Sequence, residues 1–425
     1  MHTIYALSSG HPPAGIAVIR ISGPAAENML QSLTGVTMPP ARRASLRHLL
    51  DAEGELLDTA LVLWFPGPAS VTGEDLVELH LHGGRAVVAA VKRTLSMLPG
   101  LREARSGEFT RRGFANGRID LSEAEGLADL LLAETELQRR SALAMAEGVF
   151  SRQVTEWRDQ VLYCAAQVEA VLDFADEDDV AGLPQDFPHS LMALAHELGD
   201  WLKRPRAEAL REGYRVALAG PPNAGKSTLL NALLDAEAAI TSTIAGTTRD
   251  VLACPVSIHG VPFTFVDTAG LRDHSDDPVE RIGIKRAHAE MVKADLVLWL
   301  GPEGQGPEGC WEIEAQTDRP DHEPKREPVH RISALLGTGM EGLKQALVLS
   351  AMQALPAPGQ AALNVRQHGL LAEAQAALGD AAKQTDPLLA AECLRQARIA
   401  FDHLIGRAGT EDMLDALFGR FCIGK

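Results

Sequence analysis

The chain has 425 residues, 46% of them hydrophobic, which is enough to form more than one core, so its length predicts two to four domains. The formal net charge of −17 argues against indiscriminate binding to nucleic acid, because phosphate contacts need clustered positive side chains. Apolar runs stay short of a membrane span, and the N-terminus lacks a basic segment followed by an apolar one, so we expect no membrane segment and a cytoplasmic location. The five cysteines have no metal-ligand spacing, which favours reduced thiols.

The hydrophobic pattern changes three times along the chain. Residues 1–116 alternate short apolar runs, such as 16–21, 60–64 and 76–81, with Gly and Pro breaks, and they predict a strand-rich α+β domain. Residues 117–212 have helical spacing, residues 213–352 alternate strand and helix, and residues 353–425 return to helices. The sequence therefore predicts a multidomain protein in which an α/β domain is inserted between two parts of an all-α helical domain.

A phosphate-binding loop is the strongest motif of the chain. Residues 220–227 have the sequence GPPNAGKS, after the apolar run 216–219 and before a leucine-rich helical pattern. In such a loop glycines permit a tight path and backbone N–H groups surround the phosphates. Lys226 would reach the outer phosphates, and the Ser227 hydroxyl would bind Mg²⁺.

Two further segments indicate a hydrolase. Residues 261–266 predict a buried strand that ends in Asp267-Thr268-Ala269-Gly270, where such enzymes place an aspartate near the metal. Thr248 lies in a segment that could close onto Mg²⁺ when the terminal phosphate is present. In this order the motifs resemble the translation-factor-like GTPases. Leu271 stands where many such proteins carry a water-orienting glutamine, so another residue must orient the water.

Additional motifs make the resemblance more specific. They are Asn223 in the phosphate loop, IAGTTRD at 244–250, GLR at 270–272, VERIG at 279–283, FCIGK at 421–425, GIAVIRISG at 15–23, TGED at 72–75, ELH at 78–80, GEFT at 107–110 and NGRIDL at 116–121. Together they resemble the MnmE (TrmE) family of tRNA modification GTPases over nearly the whole chain. The resemblance implies an N-terminal α+β domain (1–116) that binds 5-formyl- or methylene-tetrahydrofolate and dimerises, a helical domain (117–212 and 353–425) and an inserted P-loop GTPase domain (213–352).

The same resemblance implies a potassium-dependent GTP hydrolase. Glu280 is the implied catalytic residue that orients the water, although by itself it would be an ordinary carboxylate at a helix start. The implied metal ligands are Ser227 and Thr248 for Mg²⁺, and Asn223, Ser242, Ile244 and Thr247 for K⁺. The implied nucleotide-binding residues are Asn223, Ala224, Gly225, Lys226, Ser227, Thr228, Ser242, Thr243, Ile244, Ala245, Gly246, Thr247, Thr248, Asp267, Thr268, Ala269, Gly270, Asp318, Ser333, Ala334 and Leu335.

The guanine-reading motif departs from the usual Asn-Lys-x-Asp. Residues 315–321 have the sequence AQTDRPD. One register keeps only Asp318, with Ala315 and Gln316 in place of asparagine and lysine, and a second register uses Asp318-Arg319-Pro320-Asp321. Ser333-Ala334-Leu335 matches the later motif whose backbone reads the guanine carbonyl. The sequence therefore predicts GTP as substrate and leaves the degree of guanine selectivity open.

The resemblance also implies a folate site and a role for the chain end. The implied folate-binding residues are Arg20, Glu78, Arg118 and Lys425, and Cys422 is the implied catalytic thiol. Cations suit the carboxylates of the folate glutamate, and a carboxylate suits the amino-pyrimidine edge of the pterin. Taken singly, such charged residues more often form surface ion pairs, and a lone terminal thiol is more often inert.

The implied partners are a second copy of the chain, an FAD-dependent MnmG/GidA-type protein that completes a heterotetramer, and tRNA, whose wobble uridine would receive a carboxymethylaminomethyl-type group at carbon 5. Candidate local RNA contacts are two arginine groups at 102–112 and 139–140, although such groups are more often solvated. The alternative is a GTPase switch for ribosome assembly that resembles Era or Der. A third possibility is a degenerate homologue that binds folate and turns nucleotide over poorly.

Overall fold

The computed structural model describes residues 2–173, 183–235, 253–267, 289–322, 324–407, 411–419 and 421–424. The chain forms two compact units, one of Met1–Ala128 with Asp402–Lys425 and one of Asp129–Phe401. The predicted division into three domains, with the helical one split into residues 117–212 and 353–425, remains a prediction.

Within the described residues, the first unit contains a six-stranded sheet with helices. Its elements are β1 Thr3–Leu7, β2 Ile16–Ser22, α1 Ala26–Thr34, β3 Ser45–Leu50, β4 Leu56–Phe65, β5 Leu76–His82, α2 Arg85–Met97, β6 Leu101–Glu103, α3 Glu108–Ala115, the first part of α4 Leu121–Leu132, and, near the chain end, α13 Glu411–Phe418. The strand order is β3-β4-β5-β2-β1-β6. Strands β2 and β5 are antiparallel, and Arg20 lies opposite Glu78. Alternating buried residues of β2, β4 and β5 pack against α1 and α2 to form the core.

The chain end is bound to this first unit. Phe418 and Phe421 are buried against Ala124 and Ala128. Beyond them, Ile423 forms an antiparallel bridge with Ser106.

The second unit combines helices with a mostly parallel sheet. Its elements are the last part of α4, α5 Glu136–Ala146, α6 Val149–Asp173, α7 Phe187–Leu202, α8 Ala207–Glu212, β7 Tyr214–Ala219, α9 Lys226–Asp235, β8 Ala253–Ile258, β9 Val261–Asp267, β10 Leu296–Trp299, β11 Trp311–Glu314, β12 His330–Arg331, α10 Met340–Ala354, α11 Val365–Ala381 and all but the last turn of α12 Pro387–Leu404. The sheet order is β12-β11-β10-β7-β9-β8, and among the described strand pairs of this sheet only β8–β9 is antiparallel. The carboxyl ends of β7, β9, β10 and β11 therefore meet at one edge, where such sheets bind ligands.

The predicted strands at 16–21, 60–64, 76–81 and 261–266 are confirmed as β2, part of β4, β5 and β9. The mixed α/β character of the chain is confirmed as well. No helix in the described ranges is both long and apolar enough to cross a membrane.

Candidate functional site

The phosphate loop connects β7 to α9 in a tight turn with three residues of positive φ. Gly220, Asn223 and Gly225 have φ of 144°, 64° and 93°, values that glycine and asparagine adopt more readily than other residues. Lys226 is only 5% exposed. Its Nζ donates hydrogen bonds to the carbonyl oxygens of Gly220 (2.7 Å) and Pro221 (2.8 Å). The loop therefore encloses its lysine at the start of α9.

A hydroxyl and a carboxylate meet beside this loop. Ser227 Oγ, in the first turn of α9, donates to Asp267 Oδ2, at the end of β9, over 3.0 Å. Both are hard oxygen ligands of the kind that Mg²⁺ prefers, and Mg²⁺ in phosphate sites is held by one or two protein oxygens plus the substrate. The residues present therefore fit this metal.

A cavity of about 280 Å³ adjoins the phosphate loop. It is lined by Gly225 of the phosphate loop and by residues of α9 and of the two loops that follow β11 and β12, namely Thr228, Leu229, Ala315, Gln316, Asp318, Arg319, Ile332, Ala334 and Leu335. Asp318 Oδ1 accepts a hydrogen bond of 2.6 Å from Ser333 Oγ, which in turn accepts one of 3.1 Å from the backbone N–H of Leu336. The predicted residues Asp318, Ser333, Ala334 and Leu335 are thus brought together.

The positions of Asp318 and Asp321 distinguish the two registers considered for the motif at residues 315–321. Asp318 lines the cavity, whereas Asp321 does not and instead forms an ion pair with Arg319, with an Nη2–Oδ2 distance of 3.0 Å. This arrangement agrees with the register in which Ala315 and Gln316 occupy the asparagine and lysine positions.

Gln316 is a contact residue that sequence reasoning missed. Its Nε2 donates to the backbone oxygen of Asn223 in the phosphate loop over 2.9 Å. The replacement of lysine by glutamine in the motif was visible in the sequence. The bond to a residue 93 positions away was not.

A second cavity, of about 410 Å³, lies in the first unit and contains predicted folate residues. Glu78 and Arg118 line it together with Phe65 and Arg42. Arg20 does not line it but holds Glu78, because its Nη2 and Nε donate to Glu78 Oε1 over 2.7 and 3.0 Å. The cavity therefore combines a fixed carboxylate with cations and an aromatic ring.

Arg118 and Arg42 are both anchored at this cavity. Arg118 Nε donates to the Ser70 backbone oxygen over 3.1 Å. Arg42 has φ of 60°, and its guanidinium lies 5.7 Å from the centre of the Phe65 ring. Sequence reasoning missed Arg42, and no motif marks it.

Cys422 is exposed, and its neighbours hold it on the first unit. Gly424 has φ of 106°, its carbonyl oxygen accepts a bond of 2.7 Å from Ser8 Oγ, and a Cβ at this position would lie 2.3 Å from the Leu7 oxygen. Only glycine fits here without a shift of the backbone.

The arginine groups considered as RNA contacts are largely engaged by carboxylates. Arg102 and Arg112 pair with Glu108, Arg111 pairs with Asp415, and Arg139 and Arg140 pair with Glu136. Burial raises the pKa of Glu108, but hydrogen bonds from Arg102, from the Arg105 backbone and from Arg112 outweigh it and lower the pKa to about 2. Most of the arginines in these two groups are therefore held in ion pairs, although Glu136 alone serves both Arg139 and Arg140.

The remaining predicted site residues lie outside the described residues. They are Ser242, Thr243, Ile244, Ala245, Gly246, Thr247, Thr248, Thr268, Ala269, Gly270, Glu280 and Lys425.

Comparisons with known proteins give a consistent result. The family model "MnmE helical domain" matches residues 121–422, and "GTP-binding protein TrmE N-terminus" matches residues 3–118. A "tRNA modification GTPase MnmE" from Novosphingobium aromaticivorans is 62% identical over 100% of this chain and 99% of that protein. Proteins of the same description from Erythrobacter litoralis and Zymomonas mobilis are 60% and 50% identical, with full coverage of both chains.

Among solved structures, the G domain of the FeoB iron transporter of T. maritima is 24% identical, over 32% of this chain and 98% of that chain, with a TM-score of 0.24. That likeness is too weak to carry a structural conclusion. The family models and the full-length relatives suffice to assign the chain to a family. The chain belongs to the MnmE family of tRNA modification GTPases.

Proposed function

We propose that this chain hydrolyses GTP with the help of Mg²⁺ and K⁺, and that hydrolysis serves the modification of a wobble uridine in tRNA. The observation that carries the proposal is the continuity of two sites in the second unit. The phosphate loop with its buried Lys226 and the Ser227–Asp267 pair adjoin the cavity that contains Asp318.

The chemistry of the cavity supports guanine over adenine. A carboxylate such as Asp318 accepts hydrogen bonds from the adjacent N1–H and N2–H groups of guanine. Adenine instead presents its N1 acceptor, which a carboxylate repels. Ser333 fixes the carboxylate. We propose that the backbone near Ala334, which lines the same cavity, donates to the guanine carbonyl.

Each residue of the phosphate site has a proposed task in hydrolysis. Lys226 neutralises charge on the outer phosphates, and Ser227 and Asp267, with Thr248, would hold Mg²⁺. Mg²⁺ bound there supplies positive charge between the outer phosphates. The Asn223 side chain, with Ser242, Ile244 and Thr247, would hold K⁺ in the role that an arginine finger has elsewhere. Glu280 would orient the attacking water.

The cavity of the first unit supports a tetrahydrofolate site. Glu78 offers an acceptor to the amino-pyrimidine edge, and Arg118 offers a guanidinium to a carboxylate of the glutamate. We propose that Arg20 orients Glu78, that Lys425 contributes a further cation, and that Cys422 takes part in the one-carbon chemistry.

We further propose that the chain acts as a homodimer and joins an FAD-dependent MnmG/GidA-type partner in a heterotetramer. Opening and closing of the paired GTPase domains would drive addition of the carboxymethylaminomethyl-type group to carbon 5 of the uridine. The cytoplasm, where tRNA is decoded, is the expected compartment. The ribosome-assembly alternative has no specific contact among the described residues in its favour.

The proposal is tested by phosphate release from GTP and from ATP, each in potassium and in sodium buffers of equal ionic strength, with Glu280→Ala as control. Hydrolysis of GTP alone, faster in potassium and lost in the variant, is the expected result. Equal rates in the two cations would remove the potassium assignment of Asn223. Equal rates with the two nucleotides would remove the guanine assignment of Asp318.

A further inference from the structure

Gln316 lies where the loop that follows β11 meets the phosphate loop. Its Nε2 donates to the backbone oxygen of Asn223 over 2.9 Å. Gln316 also lines the cavity that contains Asp318. The Gln316 side chain therefore contacts both the phosphate loop and the cavity that contains Asp318, which we call the base cavity.

The backbone at both ends of this bond is left-handed. Gln316 has φ of 58° and Asn223 has φ of 64°. Asparagine tolerates this region, whereas for glutamine it is unfavourable and persists only when the surrounding structure enforces it. Such a residue is a candidate for a functional constraint.

The Gln316 side chain packs against the phosphate loop at Gly225, where the absence of a Cβ leaves room for it. A Cβ at Gly225 would lie 3.1 Å from Gln316 Nε2 and 3.4 Å from its Cγ. Any larger residue at Gly225 would press against the amide. The packing thus adds to the hydrogen bond in fixing the distance between the two loops.

Arg319 orients the amide group. Its Nη1 lies 3.4 Å from Gln316 Oε1, and the guanidinium is held by its ion pair with Asp321. Because a guanidinium only donates, the amide oxygen must face Arg319, and the NH₂ group must then face the Asn223 carbonyl.

We propose that Gln316 is a positioning residue for the nucleotide, whose amide couples the base cavity to the phosphate loop through the Asn223 carbonyl. The inference rests on the proposed binding of GTP. A neutral N–H donor performs the coupling without a formal charge beside the phosphates. Binding of a base against Asp318 then stabilises the loop that receives the phosphates.

The test compares three substitutions that differ in their ability to donate. Gln316→Ala removes the donor, Gln316→Glu keeps the shape but offers only acceptors, and Gln316→Lys restores a donor that can reach the same carbonyl. Gln345→Ala, which removes an exposed glutamine on α10 bonded to Glu341, is the matched control. The readouts are the Kd of a fluorescent GDP and the KM and kcat for GTP.

A single hydrogen bond of about 1–1.5 kcal/mol corresponds to roughly tenfold in affinity. We therefore expect Gln316→Ala to raise Kd and KM about tenfold with kcat little changed, as for loss of uniform binding. Gln316→Glu should weaken binding at least as much, because its carboxylate faces a carbonyl oxygen. The Kd and KM of Gln316→Lys should remain within about threefold of the wild-type values, and those of Gln345→Ala should equal the wild-type values.

Binding by Gln316→Ala as tight as by Gln345→Ala would overturn the inference, and so would a Gln316→Lys variant no better than Gln316→Ala. Failure of the wild-type chain to bind GDP at all would instead overturn the proposed function. The two failures are therefore distinguishable in the same experiment.

Discussion

Replacement of Asp318 by alanine should abolish most of the affinity for guanine nucleotides. Ser333 Oγ lies 2.6 Å from one carboxylate oxygen, so the acceptor is fixed before the base arrives. Two charge-assisted hydrogen bonds to the base, at about 1.5–3 kcal/mol each, sum to at least about 3 kcal/mol. Since 1.4 kcal/mol is tenfold, the Kd for GDP should rise at least about 100-fold.

Asp321→Ala is the matched control for Asp318→Ala, because it removes the carboxylate that the other register would use. Asp321 and Arg319 have exposed side chains, 68% and 52% accessible, and such exposed ion pairs contribute at most about 1 kcal/mol, or roughly fivefold. Asp318→Asn keeps a partner for Ser333 but turns a donor toward the base, so it should favour xanthine, whose 2-carbonyl accepts, over guanine.

Titration calorimetry of GDP, ADP and xanthosine diphosphate against the three variants checks these expectations. A larger loss in Asp321→Ala than in Asp318→Ala would refute the assignment of the cavity and support the second register. An unchanged preference of Asp318→Asn for GDP would refute the hydrogen-bond argument.

Three further predictions concern the first unit. The pKa of Glu108 is lowered from 4.5 to about 2, so its ionised form stabilises the fold, by about 1–2 kcal/mol once solvent screening is allowed for. This stabilisation should be present above pH 4.5 and lost as the pH falls toward 2. Amide exchange of residues 101–115 should show this loss in the wild type and not in Glu108→Gln. Gly424→Ala should detach the chain end, because its Cβ would lie 2.3 Å from a backbone oxygen. We expect faster amide exchange at residues 421–424 and impaired tRNA modification, with GTP hydrolysis retained. The control Gly10→Ala, with no atom within 4 Å of the added Cβ, should change neither the amide exchange nor the tRNA modification. Arg118→Ala should weaken the binding of 5-formyl-tetrahydrofolate about tenfold or more, the value of a charge-assisted hydrogen bond. It should leave the binding of a tetrahydropterin without the glutamate unaffected. Equal losses for both ligands would exclude a contact to the glutamate carboxylate.

Local sequence patterns predicted the elements that short-range chemistry determines. The phosphate loop before Lys226, the buried strand that ends at Asp267, and the strand-rich character of residues 1–116 all depend on spacing within a few residues. Several arginine pairs were predictable in the same way. Arg112 with Glu108, and Arg139 and Arg140 with Glu136, are pairs at i,i+3 or i,i+4 on helices.

Contacts between distant segments were not predictable from the pattern. The register of residues 315–321 stayed open, because the choice between Asp318 and Asp321 depends on Ser333, which a separate strand places beside Asp318. The link from Gln316 to Asn223 and the position of Arg42 at the folate cavity likewise depend on tertiary packing. No local periodicity encodes such contacts.

The central claim is tested most directly by mass spectrometry of tRNA nucleosides from cells that lack the gene for this chain. Loss of the carboxymethylaminomethyl-type wobble uridine, restored by the wild-type chain and not by Ser227→Ala, is the predicted result, because the Ser227 hydroxyl would hold Mg²⁺ beside Asp267. Persistence of the modified uridine in the deletion strain would contradict the account.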